Sequence, residues 1–195
     1  MNIILIDCDG VLFDWESSFH RFMLRYGYVG EQYDETKYNM SERYGLHRDF
    51  SDRLVKHFNE SAFMSSLSPL RDSVKYIRKL HDEHGYTFHC ITSQSNLYQA
   101  QQLRIQNLEK TFGKDVFDGF TILNTGDHKD EALERWKDSG LFWIEDKLEN
   151  ALVGKNLGLN PILVRHNYTD IIEVAEAEIP CYWRWSLIYN YITGE

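Results

Sequence analysis

Residues 2–11, which read NIILIDCDGV, decide the fold of the chain. Its four consecutive apolar residues are typical of a strand that is buried on both faces of a parallel sheet. Asp7 and Asp9 follow at once, and residues two apart in an extended segment point to the same side. Gly10 then allows a sharp turn. The stretch therefore predicts a buried strand with two carboxylates at its carboxyl end, facing one site.

A calcium-binding helix–loop–helix site is the competing interpretation of these spaced aspartates. Counting Asp7 as position one puts Val11 at position five and Ser18 at position twelve, where that loop requires oxygen ligands. The pattern does not meet this requirement. The carboxyl end of a strand in an open α/β sheet is, by contrast, a place where such folds bind ligands.

Four later apolar runs continue the pattern, at residues 86–91, 120–123, 141–144 and 161–164. Each follows a helical pattern. The first helix is predicted to open with Ser68 as N-cap and Pro69 at the first helical position, and the others to cover residues 95–112, 129–138 and 147–157. Strands that alternate with helices predict a parallel sheet with helices on both faces.

Residues 14–66 interrupt this alternation, because they show helical patterns and no convincing strand. We expect an α/β core formed by residues 1–13 and 67–195, with residues 14–66 as a helical cap insertion. Twelve of the 28 aromatic residues fall between Phe13 and Phe63. Most of these rings are expected to build the core of a small subdomain, and one or two remain candidates for lining a pocket for a flat ligand.

Composition excludes several classes of protein. The 195 residues are 43% hydrophobic and carry a formal net charge of −9, which is typical of one globular domain with a modest insertion. No apolar run approaches the ~20 residues of a membrane span, and no basic segment precedes the first run, so we expect a cytoplasmic protein without a membrane partner. Three cysteines without a Cys-x-x-Cys pair argue against a disulfide framework or a structural zinc site. The acidity argues against a nucleic-acid polymer as partner.

Three further signals follow the later apolar runs. Thr92 and Ser93 end one strand, where hydroxyls suit a phosphate oxygen, although this pair is commonly just a helix cap. Lys129 begins a helix, where a lone lysine is commonly a solvated side chain. Glu145 and Asp146 end another strand and offer the oxygen ligands that Mg²⁺ prefers.

In this order, each at the carboxyl end of a strand or the start of a helix, the signals resemble the four motifs of the haloacid dehalogenase-like hydrolase superfamily. The resemblance covers the whole chain. It implies a Rossmann-like α/β fold in which a parallel sheet is flanked by helices and a small helical cap is inserted after the first strand.

A closer resemblance is to the 5'(3')-deoxyribonucleotidases. It rests on residues 7–16 (DCDGVLFDWE), 38–45 (YNMSERYG) and 63–70 (FMSSLSPL), on the Ile-Thr-Ser sequence at 91–93, and on a tryptophan-containing C-terminal helix at 183–189. This resemblance implies a Mg²⁺-dependent phosphomonoesterase that acts on nucleoside monophosphates.

Roles carry over from the resemblance by position. Asp7 is the expected nucleophile and Asp9 the general acid/base. Thr92 and Lys129 are expected to hold the transferring phosphoryl group. Asp146 is expected to complete a Mg²⁺ site with Asp7 and the backbone carbonyl of Asp9.

Substrate contacts are implied in the same way. Trp15 falls where the family packs an aromatic ring against the base, and Tyr38 where it places another. Ser93 is a candidate phosphate contact from its own place at the end of the strand. The chain departs from the family at four places: Glu145 replaces an aspartate, Asn39 an aromatic residue, and Gln94 a proline, and Lys129 stands further from the acidic pair, sixteen residues before Glu145. These departures leave the phosphatase chemistry in place and weaken the inference about base and sugar.

Other functions remain open at this point. A phosphatase of sugar phosphates or other small esters requires the same four motifs. A non-catalytic Mg²⁺- or nucleotide-binding module is disfavoured because Asp7 and Asp9 are both present. A phosphatase of polynucleotide ends requires a basic groove, of which the charge pattern gives no sign. The sequence also leaves a homodimer open.

Overall fold

A computed structural model describes residues 2–195 and confirms the α/β fold. Its six strands are all parallel to their neighbours, in the order β3-β2-β1-β4-β5-β6. Their bounds are β1 Ile3–Ile6, β2 Thr87–Ser93, β3 Phe117–Leu123, β4 Phe142–Glu145, β5 Asn160–Val164 and β6 Cys181–Tyr182.

The described residues also contain nine α-helices and two short 3₁₀ helices, at Ala62–Ser65 and Lys114–Val116. The α-helices are α1 Trp15–Arg25, α2 Met40–Tyr44, α3 Arg48–Asn59, α4 Ser73–His84, α5 Tyr98–Phe112, α6 Asp130–Glu134, α7 Leu148–Asn156, α8 Ile171–Glu176 and α9 Trp185–Thr193. None of those between residues 2 and 195 has the length and apolarity needed to cross a bilayer.

The order of the strands reverses at β1, which determines where a ligand can bind. From β1 the chain builds outward to β2 and β3 on one side, then returns to place β4, β5 and β6 on the other. Ile6 is in register with Cys90 of β2 and with Ile144 of β4. The residues after these three therefore emerge side by side at a topological switch point, where open α/β sheets form their binding crevice.

Strand β1 is buried on both faces, as its apolar run predicts. Ile4 and Ile6 contribute to the core that includes α4, α5 and α9, whereas Ile3 and Leu5 point to the opposite face and pack with Trp143. This alternation follows from the two-residue period of a strand.

Helices α1 to α3 and the first 3₁₀ helix lie between β1 and α4 in the chain. Phe19, Phe22 and Phe58 pack together in this unit with ring centroids 5.3 to 5.8 Å apart. Large aromatic rings thus supply the apolar area that so few residues could not otherwise bury. The two segments that join the unit to the sheet run antiparallel, with a bridge between Phe13 and Pro69.

Three details of the predicted elements were wrong. Pro69 does not open a helix, because residues 68–70 are held in extended pairing with the segment after β1 and α4 starts only at Ser73. The helix expected at 129–138 is reduced to Asp130–Glu134. The sixth strand, Cys181–Tyr182, was not predicted, since two residues are too few to produce a periodic pattern.

Candidate active site

A cavity of about 650 Å³ lies at the carboxyl ends of β1, β2 and β4 and extends up to α1 and α3. Eight of the nine residues that the sequence singled out lie in the wall of this cavity, and the ninth, Glu145, is buried: the eight are Asp7, Asp9, Trp15, Tyr38, Thr92, Ser93, Lys129 and Asp146. Four come from the ends of strands, which converge because the sheet is parallel.

Lys129 lies at the floor of the cavity and bridges two carboxylates. Its Nζ is 2.7 Å from Asp7 Oδ1 and 2.6 Å from Glu145 Oε1, and the lysine is only 3% exposed. Burial disfavours the charged amine, but the two carboxylates outweigh burial and raise the pKa of Lys129. Lys129 is therefore a permanent cation that holds one oxygen of Asp7.

For Asp7, burial and neighbouring negative charges outweigh the nearby positive charge. Burial, together with repulsion from Glu145 and Asp9, raises its pKa to about 7 despite the attraction of Lys129. The ionised form of Asp7 thus depends on positive charge in the cavity. A divalent cation would supply such charge.

Glu145 is fully buried and accepts four hydrogen bonds. Oε1 accepts from Lys129 Nζ and from Asn150 Nδ2 at 2.7 Å, while Oε2 accepts from the backbone N–H groups of Asp146 at 2.6 Å and Lys147 at 2.8 Å. Burial alone would raise its pKa, but Lys129 and these donors lower it. A carboxylate offers about four lone-pair positions, so the four donors leave none for a metal ion.

Asp146 also lines the cavity with its carboxylate. Burial, with repulsion from Glu145 and Asp7, raises its pKa well above the usual range. The Tyr168 hydroxyl donates a hydrogen bond to its Oδ2. Oxygens of Asp7, Glu145 and Asp146 lie within 4.8 Å of one another.

The donor set suits a hard divalent cation. Asp7 and Asp146 offer carboxylate oxygens, and the backbone carbonyl of Asp9 accepts no backbone hydrogen bond from the described residues. Ligands of this kind fit Mg²⁺, which is usually held by one or two carboxylates together with substrate phosphate. Glu145 belongs to the cluster by distance but serves to orient Lys129 and Asp146.

Asp9 faces the cavity from the turn after β1 and forms an ion pair that the sequence did not indicate. Arg104 of α5 approaches it with both terminal nitrogens, at 2.6 Å and 2.8 Å from the two carboxylate oxygens. Arg104 is completely buried, whereas the Asp9 side chain remains 22% exposed.

The turn itself is held by the loop that follows β5, two strands away from β1 in the sheet. His166, which follows β5, donates from Nε2 to the Gly10 carbonyl at 2.7 Å. Burial lowers the pKa of His166 to about 4, so the ring is neutral at physiological pH. Gly10 has φ +73°, and a Cβ there would come within 2.8 Å of Asp146 Cγ. Only glycine fits this close approach without strain.

Thr92 and Ser93 end β2 beside the carboxylates. Thr92 is 1% exposed and lines the cavity. Ser93 Oγ donates to the Asp127 carbonyl at 2.8 Å, so this hydroxyl attaches the loop that precedes Lys129 to the end of β2.

The upper wall of the cavity is aromatic. Trp15 stacks on Phe19 with centroids 4.7 Å apart, and its Nε1 donates to Asn59 Oδ1 at 2.8 Å. Tyr38 packs edge-on against Tyr168 at 5.2 Å and is half exposed. The indole is thus held rigidly, while the two tyrosines form the opposite side.

Sequence reasoning missed Arg104, His166 and Tyr168. Arg104 did carry a signal, because it shares the buried face of α5 with Ala100 and Leu108 at helical spacing. A charged residue at a core position requires a partner. His166 and Tyr168 lie in a loop without periodicity, and no pattern distinguished them.

Comparisons with known proteins concern the family and the fold of the chain. The family model described as "5' nucleotidase, deoxy (Pyrimidine), cytosolic type C protein" matches residues 1–118. An uncharacterised 32.4 kDa protein from the Gp30-rIII intergenic region of Enterobacteria phage T4 is 26% identical over 140 residues, 69% of this chain. The chain spans about half the length of that relative, 49%.

Solved structures share the fold. A predicted phosphatase from Clostridium acetobutylicum superimposes with a TM-score of 0.66 at 16% identity, covering 100% of this chain and 99% of the other. A haloacid dehalogenase-like hydrolase family protein from Streptococcus pneumoniae gives 0.71 at 14% identity, covering 98% of each chain. At these identities the likeness concerns the fold alone.

Proposed function

Because the chain belongs to the cytosolic type C 5'-nucleotidase family, whose model spans residues 1–118, we propose that it is a Mg²⁺-dependent phosphatase of nucleoside monophosphates in the cytoplasm. Deoxy forms are favoured on resemblance. The observation that carries the proposal is the convergence of Asp7, Asp9, Lys129 and Asp146 on one cavity beneath an aromatic wall.

Asp7 is the proposed nucleophile. Its free carboxylate oxygen attacks phosphorus, while the bond from phosphorus to the ester oxygen breaks and Asp9, which enters this step protonated, gives its proton to the departing alkoxide. Asp9 then takes a proton from water, which attacks the phosphorus and breaks its bond to Asp7. Inorganic phosphate leaves, and both carboxylates return to their starting state.

Charge is the main requirement of phosphoryl transfer, because little covalent work falls to the protein. Lys129, held between Asp7 and Glu145, places a fixed cation beside the transferring group, and Thr92 lies next to it. When bound by Asp7, Asp146 and the Asp9 carbonyl, Mg²⁺ supplies further positive charge to the phosphate oxygens.

The substrate's organic part is assigned to the upper cavity. Trp15 offers a flat apolar surface for a base, with Tyr38 across from it, and residues 14–66 act as the cap that excludes water. The cavity is of the size that holds one small ligand. The proposed partner is therefore a small phosphate ester and not a nucleic-acid polymer or a membrane.

Phosphate release from a panel of ribo- and deoxyribonucleoside monophosphates, sugar phosphates and p-nitrophenyl phosphate tests this function, with Mg²⁺ or EDTA present. We expect Mg²⁺-dependent release that is fastest with nucleotides and abolished in Asp7→Asn. No release from any ester would favour a binding module. Metal-dependent turnover by Asp7→Asn would refute the nucleophile assignment.

Trp15→Ala separates the nucleotidase from a phosphatase of sugar phosphates. Loss of one stacked base removes about 1–3 kcal/mol of binding energy, so kcat/KM for nucleotides should fall roughly 5- to 150-fold. The kcat/KM for p-nitrophenyl phosphate should stay unchanged. Trp15→Phe is the matched variant, since it keeps a ring against Phe19 but cannot donate to Asn59. Equal losses on both esters would exclude the stacking role.

A further inference from the structure

The ion pair between Arg104 and Asp9 is the feature of the cavity that the proposed reaction has not used. The guanidinium presents two parallel N–H groups to the two oxygens of one carboxylate, at 2.6 Å and 2.8 Å. This two-point contact fixes the plane of the carboxyl group as well as its position.

Stability does not account for the pair. Arg104 is fully buried, and its Nε has no hydrogen-bond partner among residues 2–195. Its remaining contacts are to sulfur, Cys8 Sγ at 3.0 Å and Met64 Sδ at 3.3 Å. A buried cation with an unsatisfied donor is often less stable than an apolar side chain of the same size. Such exceptions concentrate at functional sites.

The pair also lies where the inserted helices rejoin the sheet. Met64 belongs to the 3₁₀ helix Ala62–Ser65, and one turn further along α5 Asn107 donates to the Leu67 carbonyl at 3.3 Å. Helix α5 thus contacts both the acid/base turn and the returning segment of the insertion. Arg104 is the side chain that connects the two.

We propose that Arg104 is a positioning residue that sets the orientation of Asp9 for proton transfer to the leaving oxygen. Each oxygen of the Asp9 carboxyl group accepts one N–H from the guanidinium, and the side of the group that faces the cavity stays free to carry the proton that is transferred. Rotation of the carboxyl group is thereby blocked, and proton transfer needs an orientation within hydrogen-bond reach of the ester oxygen. This inference rests on the proposed phosphatase function.

A role in proton donation predicts dependence on the leaving group. The p-nitrophenolate ion departs without a proton. The alkoxide that leaves a nucleoside monophosphate or glycerol phosphate needs one. The parameter kcat/KM reports the steps up to departure of the leaving group, so it isolates this transfer from the later hydrolysis of the aspartyl-phosphate.

The experiment measures kcat/KM for glycerol phosphate, an alkyl ester, and for p-nitrophenyl phosphate, an aryl ester, in the wild type and in Arg104→Met. General acid catalysis contributes about 10²–10⁴-fold, and we expect the alkyl-to-aryl ratio to fall by at least about 10-fold. Arg104→Lys keeps the charge but not the two-point contact, and its ratio should lie between those of the wild type and Arg104→Met.

Asn107→Leu is the matched control, because it disturbs the same helix and the same returning segment without touching Asp9. Its ratio should equal that of the wild type. An equal loss on both esters in Arg104→Met, or a change in ratio as large in Asn107→Leu, would overturn the positioning role.

Failure of this inference differs from failure of the proposed function. If the wild type hydrolyses no nucleotide but does hydrolyse glycerol phosphate, the nucleotide substrate is wrong and the ratio is still measured. If the wild type hydrolyses an ester and Arg104→Met leaves the ratio unchanged, the inference about Arg104 alone is wrong.

Discussion

Glu145→Gln tests the interpretation that this buried carboxylate organises the site without binding metal. The substitution keeps the shape and replaces one oxygen with an amide group that donates. Four donors surround the carboxylate, two on each oxygen, at 2.6 to 2.8 Å. In either orientation the NH₂ group of the glutamine faces two of the four donors and cannot accept from them. Lys129 also loses one of the two carboxylates that balance its charge.

The magnitude follows from these contacts. Two hydrogen bonds are lost, and bonds to charged groups contribute about 1.5–3 kcal/mol each. Breaking a buried ion pair by removing one partner gives a similar total of about 3–5 kcal/mol. A chain of this length loses roughly 2–4 °C of Tm per kcal/mol. We therefore expect the free energy of unfolding to fall by about 3–5 kcal/mol and Tm by about 6–20 °C.

Urea unfolding followed by circular dichroism measures the change. Glu149→Gln is the control, because Glu149 forms a 2.6 Å pair with Lys147 but its side chain is 58% exposed. Exposed pairs contribute about 0–1 kcal/mol, so this variant should stay close to the wild type. A loss below about 1 kcal/mol in Glu145→Gln would show that the four donors are not satisfied as described.

Three further changes probe the surroundings. Gly10→Ala places a Cβ against Asp146 at φ +73°, so we expect a folded protein with kcat reduced at least about 10²-fold; unchanged turnover would exclude the close approach. Because burial lowers the pKa of His166 to about 4 from its usual 6.5, only the unfolded chain binds a proton between these values. The unfolding free energy should therefore fall by about 3 kcal/mol as pH drops from 6.5 to 4, and His166→Gln should remove that part of the slope in urea titrations at several pH values. Tyr168→Phe removes the hydroxyl on Asp146 and should raise the Mg²⁺ concentration for half-maximal activity about 10-fold, whereas exposed Tyr98→Phe should not; equal Mg²⁺ curves would dismiss the contact.

The sheet was predictable because its signal is local. Apolar runs marked β1 to β5 to within a few residues, and the polar residues that follow them had to meet once the sheet was parallel. Pro69 misled for a physical reason: the residue suits both a helix start and an extended segment, and pairing with Phe13 decided between them.

The long-range contacts that hold the site residues in place were not predictable from local sequence patterns. Arg104 reaches Asp9 only because α5 packs across the sheet, and the two residues are 95 positions apart. His166 and Gly10 are 156 apart. Motifs identify the carboxylates and hydroxyls proposed to act on the phosphate, since Asp7, Thr92 and Asp146 lie at strand ends. Helical spacing places Arg104 on the buried face of α5, but which residue it contacts depends on how distant elements pack, and periodicity does not encode that.

Charge shows why the proposed function needs a divalent cation. Three carboxylates, Asp7, Asp9 and Asp146, line the cavity together with Lys129, and the buried Glu145 and Arg104 lie against them. Two negative charges remain when all six groups are ionised, and a phosphate dianion brings two more. A divalent cation offsets the protein's excess, and it acts in a cavity where charge is poorly screened. Six buried or partly buried side chains thus support the proposed requirement for Mg²⁺, independently of the net charge of −9 on the chain.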